Sequence, residues 1–123
     1  MFNISKNGIV EMNRGDSIKI PLFINIGDEM DKLRYIIKEN DKVYFGVMEA
    51  NAPFEHSLIR KILTTDNLDE NGDVVVELKL NDTQYLQPGM YYYEAKLVRP
   101  ISGNIDDVES FTVVPRRKIF IYE

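Results

Sequence analysis

The chain has no cysteine and a single histidine, His56, among its 123 residues. Without thiolates there is no disulfide framework and no cysteine zinc site. One imidazole does not supply a zinc cluster or a Ser-His-Asp relay with any redundancy. A cationic surplus is also missing: 15 Lys and Arg against 20 Asp and Glu leave a net charge of −5. That balance opposes capture of nucleic acid or of an anionic membrane surface, so neither partner is expected. No stretch approaches the roughly 20 apolar residues of a membrane span. The N-terminal residues lack the cationic segment followed by an apolar run that marks a secretory leader, so neither a signal peptide nor a transmembrane segment is expected. Glycine-rich phosphate loops are absent as well, and no cofactor is expected.

What remains is strand-forming sequence broken by turn residues. The length fits one domain, 1–123, long enough to bury about two-thirds of its unfolded surface without covalent staples. Apolar residues alternate at period 2 in several short runs. Ile18, Ile20, Leu22, Ile24 and Ile26 share one face of a strand over 17–26, with Pro21 requiring an unpaired amide position. Val43, Phe45 and Val47 share a face over 42–49, where Tyr44, Gly46 and Met48 make the other face apolar too, as in a central strand or in one with its second face against a partner subunit. Further strands are predicted over 8–12 at a sheet edge, 57–63, 73–80, 108–114 and 118–122, the last two divided at 115–117 by a bulge or a crossing between sheets, and 33–38 is expected either to extend as a short strand or to cap the sandwich. Residues 27–32, 39–41, 50–55 and 99–107 read as connections, the last with Pro100 and Gly103 as breakers. In 64–72, Thr65 is expected to cap a brief helical turn and Asn71-Gly72 to reverse the chain. No sustained helical period occurs. The fold expected is therefore an all-β, immunoglobulin-like antiparallel β-sandwich of seven to nine strands.

The organising stretch is 82–97. Asn81 and Asp82 can cap a single helical turn, Leu86 plugs it into the interior, and Pro88-Gly89 bends the chain. A strand follows in which Tyr91, Tyr93, Ala95 and Leu97 face one way and Tyr92, Glu94, Lys96 and Val98 the other. A tyrosine just past a capped turn marks a tyrosine corner, whose hydroxyl bonds to backbone a few residues upstream; Tyr91 is the candidate. Three successive tyrosines also suggest a stacking platform, but alternation sends them to opposite faces.

Candidate chemistry is sparse. Asn67, Asp69, Asn71, Gly72 and Asp73 match the front half of a calcium loop, but its twelfth position is Leu78 instead of a bidentate glutamate, which favours a solvated turn. Asp28-Glu29 and Asp106-Asp107 sit in predicted connections with nothing to raise a carboxyl pKa. His56, between Glu55 and Ser57, is a possible base with no adjacent nucleophile, so an ordinary surface histidine is favoured. Arg14-Gly15-Asp16 spells an integrin-ligand tripeptide, but the same residues are ordinary turn formers, and the turn reading is favoured. No catalytic residue and no metal ligand is therefore assigned.

The segments 14–25, 41–48, 71–97 and 110–123 together resemble the small β domains encoded in phage and prophage tail regions of Firmicutes. Especially similar is the immunoglobulin-like N-terminal domain of phage baseplate upper proteins. The shared pattern is Arg14, Gly15 and Asp16 before a strand, then Asp82, Thr83, Leu86, Gly89 and Tyr91 at the corner, then Thr112 and Phe120 late in the chain. The resemblance implies a virion structural protein that is assembled in the bacterial host cytoplasm and has no catalytic residues. The chain ends after its last predicted strand, without the receptor-binding region of that family, so a free-standing structural or accessory subunit is expected. Its partners would be other virion or tail proteins, or copies of itself, through exposed edges and faces. Tyr44, Tyr92 and Tyr122 are the candidate interface residues, since amphipathic rings contribute heavily to interfaces. The alternative expectation is a carbohydrate-binding module that stacks these tyrosines on sugar rings.

Overall fold

The computed structural model describes residues 2–27, 33–101 and 104–123. These residues form ten strands: β1 (Phe2–Ile4), β2 (Val10–Asn13), β3 (Ile18–Leu22), β4 (Asn25–Ile26), β5 (Leu33–Arg34), β6 (Lys42–Met48), β7 (Ile59–Leu63), β8 (Val74–Leu78), β9 (Gly89–Ile101) and β10 (Asn104–Tyr122). Two short 3-10 turns, Phe54–His56 and Thr65–Asn67, and one helical turn, α1 (Leu80–Thr83), complete the elements among the described residues. The fold is all-β. Six strands make one sheet in the order β1-β2-β10-β9-β6-β7, while β3 pairs with β8 and β4 with β5.

Alternation decides what is buried. Val43, Phe45 and Val47 of β6 and Tyr91, Tyr93, Ala95 and Leu97 of β9 face inward from the large sheet. Ile18, Ile20 and Leu22 of β3, with Val74, Val76 and Leu78 of β8, fill the same buried cluster from the small ladder. Among the described residues β3 has β8 as its only ladder partner, so one side of the strand is open at Pro21, as an edge position for proline requires. The turn and α1 between β8 and β9 carry the chain from the small ladder to the large sheet.

Several expectations need correction. Pairing is not purely antiparallel, because β10 runs parallel to β2 with Ile119 opposite Val10 and Ile121 opposite Met12. Nor is β2 an edge strand. It lies between β1 and β10, and the edge belongs to β1, three residues whose shortness hid them in the sequence. The predicted strand over 17–26 divides into β3 and β4, with Phe23 exposed between them.

Residues 99–101 and 104–107 of the expected connection are strand instead, at the far end of the β9–β10 pair. Strand β9 runs through Pro100, which stands opposite Val108, while Arg99 stands opposite Glu109. Pro100 is accommodated there because β6 pairs with β9 no further than Val98, which leaves one side of the strand open. Gly103 lies outside the described residues, as do Asp28, Glu29 and the rest of the acidic connector after Gly27.

The expected pair of closing strands is one strand, β10, which stays on β9 and absorbs residues 113, 115 and 116 in register shifts on either side of the Val114–Ala95 pair. These bulges turn Val114 into the core and leave Pro115 exposed. The 3-10 turn at 65–67 is capped by Thr64, not Thr65: Thr64 Oγ1 accepts from Asp66 N–H, and Asn67 Oδ1 accepts from Thr64 N–H at 2.9 Å.

Candidate functional site

Strand alternation gives the six-stranded sheet an outer face that carries Tyr44, Gly46 and Met48 from β6, Tyr92, Glu94 and Lys96 from β9, and Lys118, Phe120 and Tyr122 from β10. All three candidate interface tyrosines therefore lie on one face. They do not form one cluster, because residues 50–57 fold across its middle.

This cover is built from the backbone up. Gly46 has no side chain, and Ser57 fills the space; a Cβ on Gly46 would sit 2.2 Å from Ser57 Oγ. Ser57 Oγ donates to the Phe54 carbonyl at 2.6 Å, and Lys96 Nζ lies 4.8 Å from the centre of the Phe54 ring. The bulge in β10 aims Arg116 at the same cover, where it donates to the Ala52 carbonyl at 2.7 Å and to Glu94 Oε1 at 3.1 Å. Met48 and Glu94 are buried beneath it, although they belong to the outward face. His56 rides on the outside of the cover, exposed, and its imidazole has no hydrogen-bond partner among the described residues.

On one side of the cover, Tyr44, Phe54 and Ile62 line an apolar groove of about 360 Å³. Arg60 borders it, but its guanidinium is spent on the carbonyls of Glu55 and Ser57. On the other side lies an open strip. Tyr92 stands opposite Lys118, and Met90 opposite Phe120. Tyr122 stacks on Phe120 with ring centres 6.5 Å apart, and its hydroxyl donates to Glu11 Oε2 at 2.8 Å. This bond to the carboxylate holds the Tyr122 hydroxyl above the usual tyrosine pKa. Met90 and Tyr122 are 40% and 42% exposed. Met90, Lys118 and Glu11 were not assigned from the sequence. Period-2 alternation along 118–122 shows which side chains share a face, but only the register across β2, β10 and β9 brings Glu11 and Met90 beside them.

The corner residues meet at a second place, the junction between the turn after β2 and the segment before β9. Asp82 Oδ2 accepts from the Lys79 N–H at 2.8 Å at the start of α1. Asn81 instead accepts from Gln84 Nε2 at 3.2 Å, so the expected capping role falls on Asp82 alone. Leu86 packs partly buried against the core, and Gly89, after Pro88, opens β9. Tyr91 Oη donates to the Gln87 carbonyl at 2.6 Å. Burial and then the Glu49 charge raise the pKa of that hydroxyl. The Arg14-Gly15-Asp16 turn docks on this corner. Gly15 N–H donates to Thr83 Oγ1 at 2.8 Å, and Arg14 Nη1 donates to the Leu86 carbonyl at 3.2 Å. Arg14 thus holds the fold together and is not presented as an adhesion loop.

A third cluster pins the far end of the β9–β10 pair. Arg99 lies between the Tyr35 and Phe111 rings, 5.3 and 5.2 Å from their centres, and pairs with Glu109 at 2.7 Å. Tyr35 donates to buried Asp41, which also accepts from the Lys38 N–H at 2.9 Å. Burial first, then the Asp41 bond, raises the Tyr35 pKa. Every polar group named here already has a partner within the chain.

The calcium-like turn is satisfied from within as well. Asp69 Oδ1 accepts from the N–H groups of Asn71 and Asp73, both at 2.9 Å. Arg34 occupies the oxygens a cation would use, pairing with Asp73 Oδ1 at 2.9 Å and donating to the Asn71 carbonyl. Among the described residues no group of three or more His, Cys, Asp or Glu side chains converges as a metal site, and no helix is long and apolar enough to cross a membrane.

The fold and its sites define an all-β domain with a partly covered outer sheet face. No family model matches the chain, and no curated protein or solved structure matches it.

Proposed function

We propose that the chain is a non-catalytic structural or protein-interaction module of a phage or prophage tail or baseplate, assembled into the virion in the bacterial host cytoplasm, whose partners are other virion proteins. The observation that carries the interaction reading is the open strip of Met90, Tyr92, Phe120 and Tyr122, an apolar and aromatic surface on a rigid sheet with charged residues at its margin. Aromatic side chains on a rigid strand offer contact area at small entropic cost.

The tail setting draws its support from the resemblance, whose residues Arg14, Gly15, Thr83 and Leu86 meet at one bonded junction. We read the architecture more finely as an immunoglobulin-like sandwich. Two features support this: the β3–β8 ladder and the large sheet share one core, and the Tyr91–Gln87 bond has tyrosine-corner form. Mass spectrometry of purified particles from an induced host carrying the gene tests the setting. The chain is expected among the particle proteins, and its absence from intact particles overturns the proposal.

The groove at Tyr44, Phe54 and Ile62 favours one second reading, a carbohydrate-binding module with Tyr44 as the stacking ring. It is the weaker one, because a sugar needs hydrogen-bonding groups around the platform and Arg60 is already engaged by backbone carbonyls. Saturable binding on a glycan array, abolished by Tyr44→Ala, would reverse the order of the two readings.

A further inference from the structure

The open strip is self-complementary. On β10, Lys118 and Tyr122 stand two residues before and two residues after Phe120, all three on the outer face. Tyr122 holds the Glu11 carboxylate at its hydroxyl, so a negative charge sits at one end of the strip and the Lys118 ammonium at the other. Among the described residues, neither Glu11 nor Lys118 has an ion-pair partner within the chain. Glu94 of the same face is instead paired within the chain, with Arg116.

A two-fold axis that crosses β10 at Phe120 and runs perpendicular to the strand exchanges the two ends. It lays Phe120 on its own copy and sets each Lys118 against the Tyr122–Glu11 pair of the other chain. Every contact is then made twice, as an isologous interface requires. A standard interface takes roughly 800 Å² from each partner, about a tenth of the 7777 Å² surface of this chain.

We propose that the strip formed by Met90, Tyr92, Lys118, Phe120, Tyr122 and Glu11 is a two-fold interface that takes a second copy of this chain. The proposal rests on the reading of this face as the interaction surface and names its partner. Each copy supplies the counter-charge that the other lacks, and the apolar centre excludes water from between the sheets.

Sedimentation equilibrium of the whole chain from low to high micromolar concentration tests this. The wild type is expected to approach twice the chain mass. Lys118→Glu and Glu11→Lys each place like charges together and weaken the dimer by roughly tenfold or more, while circular dichroism shows the same folded spectrum. Mixing the two single variants in equal amounts restores opposite charges on both sides of the interface, so it is expected to restore the dimer. A folding defect in either variant would not be repaired by mixing. A wild type that remains monomeric, dimerisation indifferent to both substitutions, or a mixture that fails to recover each overturns the proposal. Such failures leave the virion-module reading to be decided separately, by recovery of the chain in particles.

Discussion

The Gly15 N–H donates to the Thr83 hydroxyl at 2.8 Å, joining the turn after β2 to the α-helical turn before β9. Thr83 is fully buried and Gly15 has φ 87°, so neither its acceptor nor its donor can readily turn elsewhere. Replacing Thr83 with Val keeps the shape and removes the acceptor. The stranded N–H costs about 1–3 kcal/mol, a fall in melting temperature of roughly 4 °C per kcal/mol for a domain of this size. Thr83→Ser keeps the hydroxyl and is expected to lose clearly less. Thermal unfolding followed by circular dichroism checks both; equal losses would deny the bond its role.

The Tyr91 hydroxyl bonds to the Gln87 carbonyl, whereas the Tyr92 hydroxyl has no partner among the described residues. Tyr91→Phe is therefore expected to lower stability by about 1 kcal/mol and Tyr92→Phe to leave it unchanged. Urea unfolding of the two variants side by side measures the contrast.

Gly46 is the position where the 50–57 cover comes closest to the sheet. A methyl group there meets Ser57 Oγ at 2.2 Å, Ser57 Cβ at 3.0 Å and the Phe54 ring at 3.2 Å. Gly46→Ala is expected to lift the cover and cost about 1–3 kcal/mol, exposing Met48 and speeding proteolysis within 50–57. Adding Ser57→Gly removes the nearest atoms and recovers part of the loss. Limited proteolysis with fragment mapping reads both effects.

Alkali should unfold the protein in a particular window. Burial is the largest cause of the raised pKa values of Tyr35, Tyr91 and Tyr93. The folded chain therefore favours the neutral phenols, while the unfolded chain ionises them near pH 10. The stability they contribute is complete below about pH 10 and is lost as pH rises through the higher folded values. Phenolate absorbance is expected to develop late and together with unfolding for these residues.

Much of the fold was legible as alternation. Val43, Phe45 and Val47, and Tyr91 to Leu97, are buried where period 2 puts them, because a half-buried strand leaves each side chain one of two environments. Three-dimensional register was not legible. Nothing in 9–13 announces that β2 pairs in parallel with the end of the chain. Pro100 reads as a breaker because the sequence does not show that β9 has lost a neighbour there. The site suffered in the same way. Gly46 looks like a weak point in a strand until Ser57 is seen resting on it, and Glu11 joins Tyr122 only through the strand order.

The central claim, that the Met90–Tyr122 strip is the working surface, is tested most directly by hydroxyl-radical footprinting of the chain within assembled particles. Met90 and Tyr122, 40% and 42% exposed in the isolated fold, are expected to be oxidised as slowly as buried residues, while Tyr85 reacts as an open side chain. Met90 and Tyr122 oxidised in the particle at the rates their exposure in the isolated fold dictates would contradict the account.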